Sequence, residues 1–171
     1  YQDGSPAGMK TAQVCLKNGK ATATNMISPM SLNFASLTPA RYMVTASFLN
    51  NGVTHVTPRC KGILSPAGEP DAKYQQFLMT SEASRQTGIF LPFETRTFSG
   101  VLDVSDMPLG YYRLTVVLEY TGRNSSGQIS PENQQNQMLI QVYEENGQKM
   151  AKYAEWDKAP EGARTKVNIK L

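Results

Sequence analysis

Met107-Pro108-Leu109-Gly110-Tyr111-Tyr112-Arg113-Leu114-Thr115-Val116-Val117-Leu118-Glu119-Tyr120 decides the fold, because a turn signal runs directly into a long segment whose two faces can be told apart. With alternating side chains, Tyr112, Leu114, Val116, Leu118 and Tyr120 share one face, while Arg113, Thr115 and Glu119 put polar groups on the other. A period of two fits better than the helical 3.6, so the segment reads as a half-buried strand in a sheet.

Working outward, three Asn-Gly pairs are flanked by strand-like residues: Asn18-Gly19, Asn51-Gly52 and Asn146-Gly147. Asn followed by Gly tolerates the positive φ angles of a type I′ hairpin turn. The pairs predict hairpins joining 11–17 with 20–26, 42–49 with 53–57, and 138–143 with 148–153. Further strands are expected at 74–79, 89–93, 97–104 and 165–171. In the last, Val167, Ile169 and Leu171 alternate with Lys166, Asn168 and Lys170. Residues 65–70 and the Asn/Gln/Ser-rich 123–137 read as loops, the second exposed at one end of the molecule. Residues 148–156 could place Met150, Tyr153 and Trp156 on one helical face, but the turn before them favours a strand. About nine strands, little helix and no βαβ alternation point to an all-β fold, an antiparallel immunoglobulin-like β-sandwich, with a closed barrel as the alternative.

Composition bounds the rest. A chain of 171 residues is long enough for one large all-β domain, or for one domain and part of a neighbour. Residues 1–27 are expected to form an N-terminal hairpin, either extra strands or the end of a preceding domain, and 28–171 the sandwich with a C-terminal hairpin extension. At 40% hydrophobic and 18% charged, against an average near 25% charged, the chain is globular. The net charge of +3 arises from 17 basic and 14 acidic residues with no basic run, which argues against nucleic acid as a partner. No apolar run approaches the roughly 18 residues of a membrane span, so no membrane insertion is expected. The chain opens without a charged-then-apolar leader and is expected to be a mature or excised segment.

Cys15 and Cys60 allow a single intramolecular pairing. In an oxidising compartment it would close a loop of about 45 residues and stabilise the fold by roughly 4 kcal/mol on the chain-entropy model. Two unrelated buried thiols are the alternative. With no CxxC and one histidine, a zinc site is excluded.

Four segments resemble a bacterial immunoglobulin-like module in this order: Asn50-Asn51-Gly52-Val53-Thr54-His55-Val56-Thr57-Pro58; residues 62–68; Phe90-Leu91-Pro92-Phe93-Glu94-Thr95-Arg96-Thr97-Phe98; and Pro108-Leu109-Gly110-Tyr111-Tyr112-Arg113-Leu114. The resemblance covers roughly residues 40–122. It implies a surface-exposed or periplasmic protein without enzymatic activity of its own, sometimes beside domains similar to pilus chaperones. Such chaperones use a basic pair in a cleft between two domains. No residue is carried over from them, because one sandwich provides no such cleft.

His55 is the only histidine and so the only imidazole base available, but its place in a structural motif reads as framework. No G-x-S-x-G elbow supports a Ser-His-Asp triad. Glu144 and Glu145 fall on opposite strand faces. Asp103 and Asp106 read as turn-shaping residues, and the D-x-D-x-D-G calcium pattern is missing. Tyr112 is expected as a structural corner, its ring in the core and its hydroxyl bonded to nearby backbone, as in immunoglobulin-like sandwiches. Tyr111, Tyr143, Tyr153 and Trp156 could form an aromatic binding surface for sugars or a protein, or else complete the core of the second sheet. Asn124-Ser125-Ser126 matches a glycosylation sequon by chance.

The expected function is therefore a non-catalytic extracytoplasmic module, located extracellularly, at the cell surface or in the periplasm. It would take a protein partner and no cofactor, with sheet edges as the natural contact surface. An accessory carbohydrate-binding sandwich of a secreted enzyme is the alternative, and an enzyme in its own right comes third.

Overall fold

The computed structural model describes residues 26–69, 72, 74–81, 88–123 and 126–161. Among them are eight strands: β1 Ile27–Thr38, β2 Arg41–Asn50, β3 Arg59–Pro66, β4 Gln75–Met79, β5 Thr95–Asp103, β6 Gly110–Arg123, β7 Ile129–Glu145 and β8 Gln148–Ala154. A 3-10 turn at Trp156–Lys158 follows. The strands form two antiparallel sheets, ordered β1-β2-β5 and β4-β3-β6-β7-β8. The expected hairpin at residues 11–26, except Met26, and the expected strand at 165–171 lie outside the described residues. The boundary expected before residue 28 falls one residue inside β1.

One apolar core lies between the sheets. Tyr42, Val44, Ala46 and Phe48 of β2 and Phe98 and Leu102 of β5 meet Cys60 and Leu64 of β3, Leu114, Val116 and Leu118 of β6, and Ile140 and Val142 of β7. The inward set of β6 is the one read from its alternation. Its outward set differs from the expectation, because Arg113, Thr115 and Val117 are buried as well. The strand is central in its sheet, and over Arg113 the outer face is closed by the segments carrying Ala67 and Trp156. Strands buried on both faces lose the clean polar-out signature.

Local signals succeeded where chain neighbours pair and failed where the chain changes sheet. Asn146 (φ 52°) and Gly147 (φ 75°) form the turn between β7 and β8, with Glu145 opposite Gln148. Residues 148–156 are strand as far as Ala154. Asn51-Gly52, by contrast, makes no hairpin: β2 pairs with β1 and β5, and the chain crosses to β3 in the other sheet. Neither residue has positive φ. Residues 89–93 contribute an isolated bridge, Phe90 to Val56, instead of a strand. The expected loop 123–137 is mostly strand, since β7 starts at Ile129 and continues the β6 pairing out to Arg123–Ile129. That stretch is polar because much of it is exposed, not because it is irregular.

The sheets are tied together at both edges. At one, Thr80 bridges Ser99, and Phe77 of β4 fits where Gly62 and Gly100 have no side chain. A Cβ on Gly100 would lie 2.8 Å from the Leu78 carbonyl oxygen. At the other, the Tyr42 hydroxyl on β2 accepts the Ala151 N–H of β8 at 2.7 Å and donates to the Pro39 carbonyl at 3.0 Å.

Candidate functional site

The end of the molecule where β2 finishes and β5 begins carries the most constrained local structure. Asn50 is fully buried, which is costly for a primary amide unless its hydrogen bonds are made. They are made. Nδ2 donates to the Thr54 and Phe90 carbonyls at 3.0 and 3.2 Å, and Oδ1 accepts the Gly52 N–H at 3.0 Å. Its backbone N–H donates to the Glu94 carbonyl at 3.0 Å, and its carbonyl accepts the Phe93 N–H at 2.7 Å. The Asn50 side chain thereby fastens Gly52 and Thr54 to Phe90, and its backbone adds Phe93 and Glu94. This explains why Asn51-Gly52 does not turn into a hairpin.

Arg96 holds the same loop from beneath. It is buried, and its Nε and Nη2 donate to the two Glu94 carboxylate oxygens at 2.8 and 3.0 Å. Nη2 also donates to the Ile89 carbonyl, and the guanidinium lies 5.1 Å from the Phe90 ring centroid. The two-pronged pairing fixes the carboxylate plane, a geometry that lysine could not supply. Glu94 in turn accepts the Leu91 N–H at 2.8 Å.

The residue held in this clamp is Phe93. Its φ is 60°, in the left-handed region where an aromatic side chain is rarely found. Its side chain is not sheltered: 73% of Phe93 is exposed. On the other side of Asn50, the Asn51 N–H donates to the Met26 carbonyl at 2.7 Å, which ties the start of β1 to the end of β2. The structure therefore presents an aromatic knob on strained backbone. Leu91-Pro92-Phe93-Glu94 is the local sequence signal for this turn, although residues 89–93 are expected from the sequence as a strand.

The residues singled out from the sequence fall elsewhere. Tyr112 is buried, its hydroxyl donates to the Pro108 carbonyl at 2.8 Å, and burial raises its pKa. Tyr111 and Trp156 join one small cluster with Leu139 and Ala159 on the outer face of the five-stranded sheet, both half-buried. The Trp156 ring there lies 5.1 Å from the Arg113 guanidinium carbon, and Arg113 donates to the Ala67 carbonyl at 3.0 Å. Desolvation by burial lowers the Arg113 pKa. Tyr143 is on the same outer face as Tyr111, with the Lys152 ammonium 4.8 Å from its ring centroid. Tyr153 pairs with Ile140 and so faces the opposite side, at 59% exposure. The four aromatics thus do not share one surface.

His55 is exposed in the connection between β2 and β3 rather than in a strand. Asp103 ends β5, where its carboxylate accepts the Ser105 hydroxyl and N–H at 2.5 and 3.0 Å. Those bonds, ahead of Arg41 at 3.8 Å, hold its pKa down. Glu144 and Glu145 are exposed and point to opposite faces. Cys60 is buried and has no disulfide partner among the described residues; desolvation pushes its thiol up to about 12. Cys15 lies outside the described residues, as do Asn124 and Ser125. Among the described residues no three His, Cys, Asp or Glu gather as metal ligands, and no helix is long and apolar enough to cross a membrane. An open depression of about 220 Å³ between β3 and β4 is crossed by the Lys61–Glu119 ion pair at 2.5 Å and rimmed by exposed Leu78.

No known family model matches this chain, and no curated protein matches it at a significant level.

Proposed function

We propose that this chain is a non-catalytic, extracytoplasmic module of immunoglobulin-like architecture that binds another protein through the Phe93 end. The single observation that carries the binding role is the exposed Phe93 on left-handed backbone, held by a buried Asn50 and a buried Arg96. Strained backbone persists only where surrounding structure over-determines it, and such positions concentrate at functional sites. Aromatic residues, Phe among them, are also enriched at the cores of protein interfaces. Arg96 pairs with Glu94, so the carboxylate next to Phe93 in the chain is neutralised. The complementary site would be an uncharged apolar pocket on the partner.

Support for the architecture comes from strand order and from one tyrosine. The order β1-β2-β5 follows A-B-E of immunoglobulin-like sandwiches, and within β4-β3-β6-β7-β8 the first four strands follow C′-C-F-G, with β8 an additional edge strand. Tyr112, near the start of the strand corresponding to F, bonds back to the carbonyl four residues upstream, as a tyrosine corner does. The extracytoplasmic placement rests on the sequence resemblance.

The test is chemical cross-linking and affinity capture in the source cells with wild type and Phe93→Asn, which suits the backbone and removes the ring. A specific partner captured by the wild type and lost with the folded variant is expected. Retention of the same partner by Phe93→Asn would overturn the assignment of the binding end.

A further inference from the structure

Two Asn-Gly pairs lie among the described residues, and the fold treats them in opposite ways. Both could undergo the same spontaneous chemistry. The backbone nitrogen of the glycine, having given its proton to solvent base, bonds to the asparagine Cγ. The Cγ–Nδ2 bond breaks, ammonia leaves, and a five-membered succinimide remains. Water then opens either carbonyl, giving aspartate or isoaspartate, in which the main chain runs through Cβ. The step needs a mobile glycine nitrogen, an amide free to rotate, and water.

At Asn51-Gly52 the first two requirements are obstructed, although the Asn51 side chain itself meets solvent. The Gly52 N–H donates to Asn50 Oδ1 at 3.0 Å in a buried position, and the Asn51 amide donates to Ser28 Oγ at 2.8 Å. At Asn146-Gly147 nothing comparable is present. Both residues are exposed, and among the described residues neither the Asn146 amide nor the Gly147 N–H makes a hydrogen bond. We infer that Asn146 is a site of spontaneous deamidation and isoaspartate formation in the folded protein, and that the same fold protects Asn51.

The modification would act on a particular element. The turn spans two residues, with Glu145 opposite Gln148. Isoaspartate adds one main-chain atom, which such a turn cannot hold without shifting the β7–β8 register. β8 is also the strand whose Ala151 N–H meets the Tyr42 hydroxyl of the other sheet. The aspartate product keeps the turn but adds a negative charge beside Glu144 and Glu145.

The experiment ages the full chain in mildly alkaline buffer at physiological temperature and reads each site by peptide mass spectrometry, with isoaspartyl methyltransferase labelling as the second measure. In the folded chain, Asn146 should convert more than about tenfold faster than Asn51, the difference expected from releasing the bonds that hold Asn51-Gly52. In denaturant the two rates should converge. Equal rates in the folded chain would overturn the inference, and so would a difference that survives unfolding, because the fold would not then be the protecting agent.

Discussion

At the scale of single residues, Phe93 separates what a position does for stability from what it does for function. A left-handed conformation costs an ordinary residue roughly 1–2 kcal/mol, and Asn tolerates it because its short polar side chain bonds locally. With Phe93 mostly exposed, replacing it forfeits little burial. Phe93→Asn should therefore leave stability unchanged or raise it by about 0.5–1 kcal/mol, measured by the urea midpoint; a clear loss would show the ring to be structural. Tyr112 behaves in the opposite way. Phe in its place should cost about 1 kcal/mol through the lost bond to Pro108, and Ala roughly 3–5 kcal/mol by truncation of a buried ring. Cys60 gives a pH-dependent signature. Its folded pKa of about 12 lies above the ordinary 9.0, so the folded state holds its proton where the unfolded thiol has lost it. Below pH 9 the group contributes no pH dependence; between 9 and 12 it lowers stability as pH rises, by up to roughly 1.4 kcal/mol per unit. Cys60→Ala should make that limb shallower in denaturation curves collected across the range, leaving the part that buried Tyr112 and Tyr120 contribute at higher pH. Thiol reagents at neutral pH should reach Cys60 only on unfolding.

At the scale of elements, the readable and unreadable parts divide by where each strand's partner lies in the chain. The β7–β8 turn was legible from Asn146-Gly147 because its chemistry is local. The inward set of β6 was legible because alternation survives when one face meets the core. β1 and β3 were not anticipated. β1 is mostly exposed, and Pro29 and the register shift after it break its pattern. β3, Arg-Cys-Lys-Gly-Ile-Leu-Ser-Pro, carries a glycine at the position where Phe77 packs, so its core face lacks an apolar signal that its partner supplies. The candidate site was half legible: its residues lay in quoted motifs, but hydrogen bonds from Asn50 to a loop forty residues away leave no mark in local sequence. Tyr42 is another such long-range element, joining β2 to β8. Tyr42→Phe would leave the Ala151 N–H without its acceptor, at a cost of roughly 1–3 kcal/mol. Faster amide exchange at Ala151, ahead of global unfolding, is the accompanying sign; unchanged exchange there would show that the hydroxyl does not hold β8.

At the scale of the whole molecule, the two sheets share one core and are fastened at opposite edges, by Tyr42 with Ala151 and by Gly100 against β4. Gly100→Ala places a methyl 2.8 Å from the Leu78 carbonyl oxygen and 2.9 Å from Met79 Cγ. Backbone cannot yield as a flexible side chain does, so the edges of β4 and β5 must part, costing roughly 1–3 kcal/mol. The two ties have no shared partner. If the sheets unfold as one cooperative unit, the costs of Tyr42→Phe and Gly100→Ala should add to within about 0.5 kcal/mol, and each variant should keep a single transition. Trp156, beside Arg113 on the outer face of the larger sheet, reports that sheet by fluorescence, while far-UV circular dichroism averages over both. Coincident midpoints from the two probes are expected in Tyr42→Phe, in Gly100→Ala and in the variant that combines them. A smaller sheet that melted on its own once either tie was cut would separate the probes, and the Phe93 end, built from β2 and β5 of that sheet, would then lose its rigid support before the rest of the protein unfolds.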